Sequence, residues 1–387
     1  MKHFYITLLL ALVAYNAYTQ NSNLHIEAYT TFLQGEHPSA KDYILGLFAQ
    51  YDIVILCERD HREMTQYELI LDILADKRFI KEVGVAYFEI GNTEYNDSIN
   101  AFLHNATLTP DEVKQNVLHF HRNIYGAGLW EKSNYSYLLQ GVHDINSLLA
   151  PKDMIEIYGL EKGVNWEKAT EHDIIRRNIC SDAIHRDAIL AENFCNYHHY
   201  STTGKALVIL NYRHAFTRDI ANRDNAGRYI KDRYGNRVAN VFLNSFALSP
   251  RGEFTAIKNG MWDAAFITTH KTDIGFDLNN TPFGEDNFDF IPIATPLRYC
   301  DFFTGMVYYT PFAQLRITTG LPNFVDDNFA REVQRRYTLE GNIAPDVEIL
   351  KEQYNTVTDR TYSEEFPQIC DSINRWIMHI TNHDTAE

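Results

Sequence analysis

The sequence predicts an α/β protein with a mostly parallel central sheet and crossover helices, and three observations carry that expectation. Short apolar runs rich in β-branched residues recur along the chain, amphipathic stretches of helical period separate them, and 387 residues at 45% apolar content can bury a large core. One large domain is the expectation for a chain of this length.

The expected strands run from Asp52 to Cys57, Val83 to Phe88, Met154 to Tyr158, Ala206 to Leu210 and Val238 to Leu243. Between the first two, Tyr67, Ile70, Leu71 and Leu74 recur at helical spacing. Thr109-Pro110-Asp111-Glu112 then combines an N-cap, a proline at the first helical position and a capping-box glutamate, so a helix starts there. Helical patterns from about Trp166 to His199 and from Arg218 to Tyr234 complete the alternation. The stretch 252–311 is rich in Gly, Asn, Asp and aromatic residues and reads as long loops and short strands able to wall a pocket. Beyond Pro322, over 322–387, the chain is expected to be helical again.

The first 19 residues read as a secretory signal peptide. Lys2 and His3 precede an apolar run from Phe4 to Ala17, and the small residues Ala17 and Thr19 precede Gln20. The expected mature domain is therefore 20–387, in the periplasm or secreted. The run is shorter than the roughly 20 apolar residues that span a bilayer, so no transmembrane segment is expected in the mature chain. Five widely spaced cysteines show no metal-ligand pattern, and Cys57, closing an apolar strand, is expected to be buried. A formal charge of −16 argues against nucleic acid as a partner, because polyanion affinity comes from clustered Lys and Arg; a neutral or cationic small-molecule substrate fits better.

In open parallel sheets ligands bind beyond the carboxyl ends of the strands. The residues just past each expected strand are therefore informative. Glu58-Arg59-Asp60-His61 stands after the first, Glu89 after the second, Gly159 and Glu161 after the third, Asn211 and His214 after the fourth, and Asn244 and Ser245 after the fifth. A carboxylate beside an imidazole is what proton transfer near neutral pH requires: the ring takes the proton, and the carboxylate fixes its tautomer and stabilises the imidazolium. Each such residue taken alone is more often a cap or a loop hydrogen-bonder. As a set expected to face one crevice, Glu58, His61, Glu89 and His214 form the candidate site.

The segment Ile53-Val-Ile-Leu-Cys-Glu-Arg-Asp-His61, followed by a helix and by Val85-Ala-Tyr-Phe-Glu89, resembles the opening of the erythromycin esterase-like family. His185-Arg-Asp-Ala-Ile-Leu-Ala-Glu-Asn193 and Gly204-Lys-Ala-Leu-Val-Ile-Leu-Asn-Tyr-Arg-His-Ala215 resemble the helix and following strand of the same erythromycin esterase-like and ChaN-like superfamily. The resemblance places Glu58, His61, Glu89, Arg186, Asp187 and His214 on family positions. It implies that His61 acts as general base for a water attacking an ester or lactone, with the glutamates orienting it and no cofactor required. Relatives in the wider group imply the alternative, a haem- or divalent-metal-binding protein of the ChaN or Tiki type without esterase turnover. Cys57, Asp60, Arg62 and Asn211 depart from the esterase pattern, so the macrolide substrate does not carry over. A third reading, a surface interaction module with a degenerate site, also rests on those departures.

His119 and His121 are set aside as a metal pair, because on a helix residues two apart point away from each other. His198 and His199 close a polar helix and are expected to face solvent. No Gly-x-Ser-x-Gly and no P-loop is present, so serine-nucleophile and phosphate-cradling chemistry lack their motif.

Overall fold

Strands without charged residues in their interiors can be covered on both faces, and that is what the apolar runs do. The computed structural model describes residues 26–124, 129–180, 185–199, 201–220, 223–294 and 296–384. The strands are β1 (Ile53–Glu58), β2 (Val85–Asn92), β3 (Glu156–Glu161), β4 (Ala206–Asn211), β5 (Val238–Leu243), β6 (Phe246–Leu248), β7 (Phe254–Ala256), β8 (Asp273–Asp277), β9 (Gly305–Tyr309), β10 (Arg316–Thr319) and β11 (Thr358–Thr361). Seven of them form one sheet in the order β3-β2-β4-β1-β5-β9-β8. All neighbours are parallel except β8 against β9. The other four make two antiparallel ribbons, β10 with β11 and β6 with β7.

The pleat divides the core into two layers. Val54 and Leu56 of β1 pack with α1 (Ala40–Leu47), α2 (Thr65–Leu74), α3 (Lys77–Glu82), α4 (Asn96–Leu103), α5 (Pro110–His121) and α6 (Asn134–Ser147). Ile53, Ile55 and Cys57 face the other layer. After α7 (Glu171–Cys180), that layer holds α8 (Arg186–His198), α9 (Ala226–Tyr234) and α10 (Met261–Thr268). The α11 turn (Pro282–Glu285) comes next, then the helical C-terminal part: α12 (Asp327–Leu339), α13 (Val347–Asn355), α14 (Tyr362–Glu365) and α15 (Pro367–Asp384). Among the described residues no helix is long and apolar enough to cross a membrane. The expected leader 1–19 lies outside the described residues.

The element boundaries differ from expectation for physical reasons. Val83 ends α3 instead of opening β2: both Val83 and Gly84, the latter at φ +72°, donate to the Phe79 carbonyl at 2.9 Å. Residue 155 is lost to β3 because the Asn146 amide takes both of its backbone groups, at 2.8 and 2.9 Å. The capping box at Thr109 is present as expected. The pattern from Trp166 to His199 is two helices, α7 and α8, with 181–184 outside the described residues. The pattern from Arg218 begins as helix only at Ala226, whose amide donates to the Asp187 carboxylate at 2.9 Å, a cap delivered from another element.

One further expectation is corrected, and one is filled in. His198 does not face solvent: it is 8% exposed and stacks on Phe194, ring centroids 5.1 Å apart. Within 252–311, β8 and β9 join the central sheet, and the aromatics go into the core, where Phe288 stacks on Phe302 and Phe266 on Tyr308. Both features are one effect of burial: an apolar ring contributes more in a core than on a surface, whatever the polarity of its neighbours in sequence.

Candidate active site

β1 ends in Glu58 and β2 carries Glu89, and the pleat sends them to opposite faces of the sheet. Glu58 shares its parity with Val54 and Leu56 and meets the layer of α2 and α6; Glu89 shares its parity with Val85 and Tyr87 and meets α8. At the end of the intervening β4, Asn211 joins the two. Its amide N–H donates to Glu89 Oε2 at 2.7 Å, and its side chain donates to the carbonyls of Glu58 and Arg59. This is the place where the strand order reverses, because β1 leads outward to β2 while β4 returns between them.

On the first face, His61 Nδ1 lies 2.9 Å from Glu58 Oε2, an ion-pair distance without the alignment of a hydrogen bond. The other Glu58 oxygen accepts from the Tyr67 hydroxyl at 2.6 Å, and Tyr67 accepts from Asn134 at 2.9 Å. Trp130 packs edge to face against the His61 ring, and the Lys132 ammonium lies over the Trp130 ring. The His61 ring keeps 18% of its surface exposed, although protein surrounds it densely, and among the described residues nothing bonds to its Nε2. Burial opposes the imidazolium, but Glu58 and then Glu89 outweigh it and hold the His61 pKa above its ordinary value.

On the second face, Arg186, the first residue of α8, donates to Glu89 Oε1 at 2.9 Å and to Glu161 Oε2 at 2.8 Å, and its Nη1 lies 3.1 Å from His214 Nε2. Asp187 receives His214 Nδ1 at 2.6 Å and Arg213 at 3.0 Å. The short 3₁₀ turn Tyr212–Ala215 brings His214 there, and Tyr212 at φ 44° makes the bend directly after the strand. Burial would raise the Glu89 pKa. His214, Arg186 and His61 together outweigh burial and hold it below its ordinary value. Burial leaves Glu161 above its ordinary value, because Arg186 offsets it only in part. For Asp187 burial pushes the pKa up, but the bonds from His214 and Arg213 together outweigh it, and the pKa falls.

β2 and β3 come close beside this cluster. The register shifts between Phe88 and Asn92, Gly91 takes φ +121°, and a Cβ on Gly159 would stand 2.4 Å from the Gly91 carbonyl carbon. Only glycine at 159 permits that approach.

All six residues singled out in the sequence therefore meet at one end of the sheet, Glu58 with His61 and Glu89 with Arg186, His214 and Asp187. Glu161 also stands at a strand end, although its position alone did not assign it to the site. Tyr67 resembled an ordinary member of an apolar stripe, and nothing in the sequence marked Trp130 and Asn134. Behind them a buried ion pair, Arg59 with Glu63 at 2.8 Å, bonds onward to Asn244. His119 and His121 do diverge: His121 is buried between the Trp130 carbonyl and Ser136, and His119 is half exposed. Among the described residues no group of three or more His, Cys, Asp or Glu side chains is arranged to hold a metal ion.

No family model and no curated protein matches the chain. Among solved structures it is similar to a succinoglycan biosynthesis protein, with a TM-score of 0.50 at 10% identity over 74% of this chain and 96% of that one. A Bacillus cereus protein has a TM-score of 0.49 at 11% identity over 73% and 97%, and the type III effector HopBA1 one of 0.32 at 13% over 56% and 92%. The first likeness shows the fold alone.

Proposed function

We propose that this is an esterase-like hydrolase in which His61 activates water for cleavage of an ester or lactone. The observation that carries the reading is the contrast between two histidines. His61 has its Nδ1 against Glu58 and an Nε2 to which no described residue bonds, whereas both nitrogens of His214 are committed. In the proposed reaction Nε2 of His61 takes a proton as the water oxygen bonds to the carbonyl carbon, and the imidazolium returns it to the leaving alkoxide as the C–O bond breaks. Glu58 stabilises the imidazolium between those events. Glu89, with Arg186, His214 and Asp187, forms the second cluster at the same end of the sheet. The resemblance in the four motifs supports the chemistry, and the apolar run from Phe4 to Ala17 supports export.

The test is turnover of a panel of neutral and cationic esters and lactones by purified protein, before and after chelation. Turnover that survives chelation supports the reading; activity that chelation removes and added metal restores contradicts its metal-free form. A Soret band on adding haemin, with no turnover on any ester, would replace it with haem binding.

A further inference from the structure

The buried hydroxyl of Tyr67 lies between Glu58 Oε1, at 2.6 Å, and Asn134 Nδ2, at 2.9 Å. Which way its proton points is settled at the far end of this chain of contacts. The indole N–H of Trp130 can only donate, so Oδ1 of Asn134, 2.9 Å away, is its acceptor, and the orientation of the amide is determined. Nδ2 of Asn134 is then a donor, the Tyr67 oxygen accepts from it, and the one proton on that oxygen goes to Glu58. The Trp130 ring returns to His61 with ring centroids 5.1 Å apart, which closes a circuit of five residues.

We infer that Tyr67 is a positioning residue for His61: by donating to one oxygen of Glu58 it leaves the other facing the imidazole and draws part of the carboxylate charge away from it. The inference rests on the reading of His61 as the general base. Burial keeps the Tyr67 phenol far above its usual range, so it remains a donor at every working pH. The other charged groups acting on His61 are Glu89 from β2 and Lys132 ahead of α6; neither bonds to Tyr67, but the Lys132 ammonium lies over the Trp130 ring.

Tyr67→Phe removes one oxygen and keeps the packed ring. The full charge of Glu58 then bears on His61, whose pKa is expected to rise by roughly half to one unit. The readout is an NMR titration of the His61 ring without substrate, alongside the acid limb of the pH–rate profile, which should move by the same amount. Trp130→Phe, compared with its parent in a Lys132→Met background so that the ammonium over that ring plays no part, leaves the Tyr67 hydroxyl but frees the Asn134 amide to turn, and should shift His61 the same way by less. An unchanged His61 titration in folded Tyr67→Phe overturns the inference; if that variant does not fold, an unchanged titration in Trp130→Phe does so. A shift in a protein without turnover would mark failure of the catalytic reading, and turnover without a shift would mark failure of the role given to Tyr67.

Discussion

Nε2 of His214 lies 3.1 Å from Nη1 of Arg186, an atom that can only donate a hydrogen. The imidazole in this arrangement is therefore neutral, with its proton on Nδ1 directed at Asp187 and its lone pair taken by the guanidinium. The two histidines of the site are thus not equivalent. One can accept a proton, and the other is already saturated.

That difference separates two variants. His61→Ala is expected to lower kcat by roughly 10²–10⁴-fold, the usual worth of a general base, and to leave the fold intact because the ring is partly exposed and, among the described residues, its aromatic contact is with Trp130 alone. His214→Gln should lower the rate by less and keep the acid limb of the pH–rate profile in place, since that limb belongs to His61. Full turnover by His61→Ala would sink the proposal.

Stability and turnover should run in opposite directions above neutrality. His61, raised above its ordinary value, contributes stability that is complete below pH ~6.5 and is lost as pH climbs through its folded pKa. Glu89 and Asp187, lowered below theirs, contribute stability that is complete above pH ~4.5 and is lost as pH falls through their folded values. These groups together therefore favour the fold most between pH ~4.5 and ~6.5, whereas neutral His61 is needed for turnover. Melting temperatures and rates measured in the same buffers should show activity rising while stability falls from pH ~6.5 to ~8. Coincident maxima below pH ~6.5 would contradict the assignment of His61 as base.

Arg186 holds two carboxylates that have little access to water. Arg186→Met should destabilise the protein by about 3 kcal/mol near neutral pH, because Glu89 and Glu161 lose their shared counter-charge. The loss should shrink at about pH 5, where Glu161, already raised by burial, takes a proton more readily. Urea unfolding at the two pH values measures both effects, and an equal loss at each would argue against charge compensation as the cause.

Gly159→Ala puts a methyl group against the Gly91 backbone, at a place where neither strand can give way without disturbing the bulge. A cost of about 1–3 kcal/mol is expected, with turnover reduced as well because Glu89 and Glu161 flank the contact. A variant with wild-type stability would show that β2 and β3 tolerate a wider separation than they adopt.

The fold and the site were legible in the sequence to different degrees. The five strands expected from apolar runs are five of the seven in the central sheet, because a strand covered on both faces leaves a continuous signal. β8 and β9 were hidden by the glycines, asparagines and aromatics around them, and they are held in place by neighbours distant in sequence. The site residues were legible because Glu58, His61 and His214 stand at or just past a strand end, Glu89 stands inside β2 where its pairing shifts register, and Arg186 and Asp187 lie in a motif, while parallel strands bring those ends together whatever the strand order. Asp187 was legible as a motif residue, but its second task, capping α9, was not, since a cap supplied from another element has no local pattern.

By itself, then, the sequence determined the layered architecture and which ionisable groups gather at the carboxyl edge, because periodicity and strand-end position are local properties of a chain. Only the tertiary structure decided which histidine has both ring nitrogens engaged. That depends on Arg186 reaching His214 from α8 while Tyr67, Asn134 and Trp130 close around Glu58 from α2 and the start of α6. The direction of a hydrogen bond is set by the partner at its other end, and these partners become neighbours only when the helices pack on the two faces of the sheet.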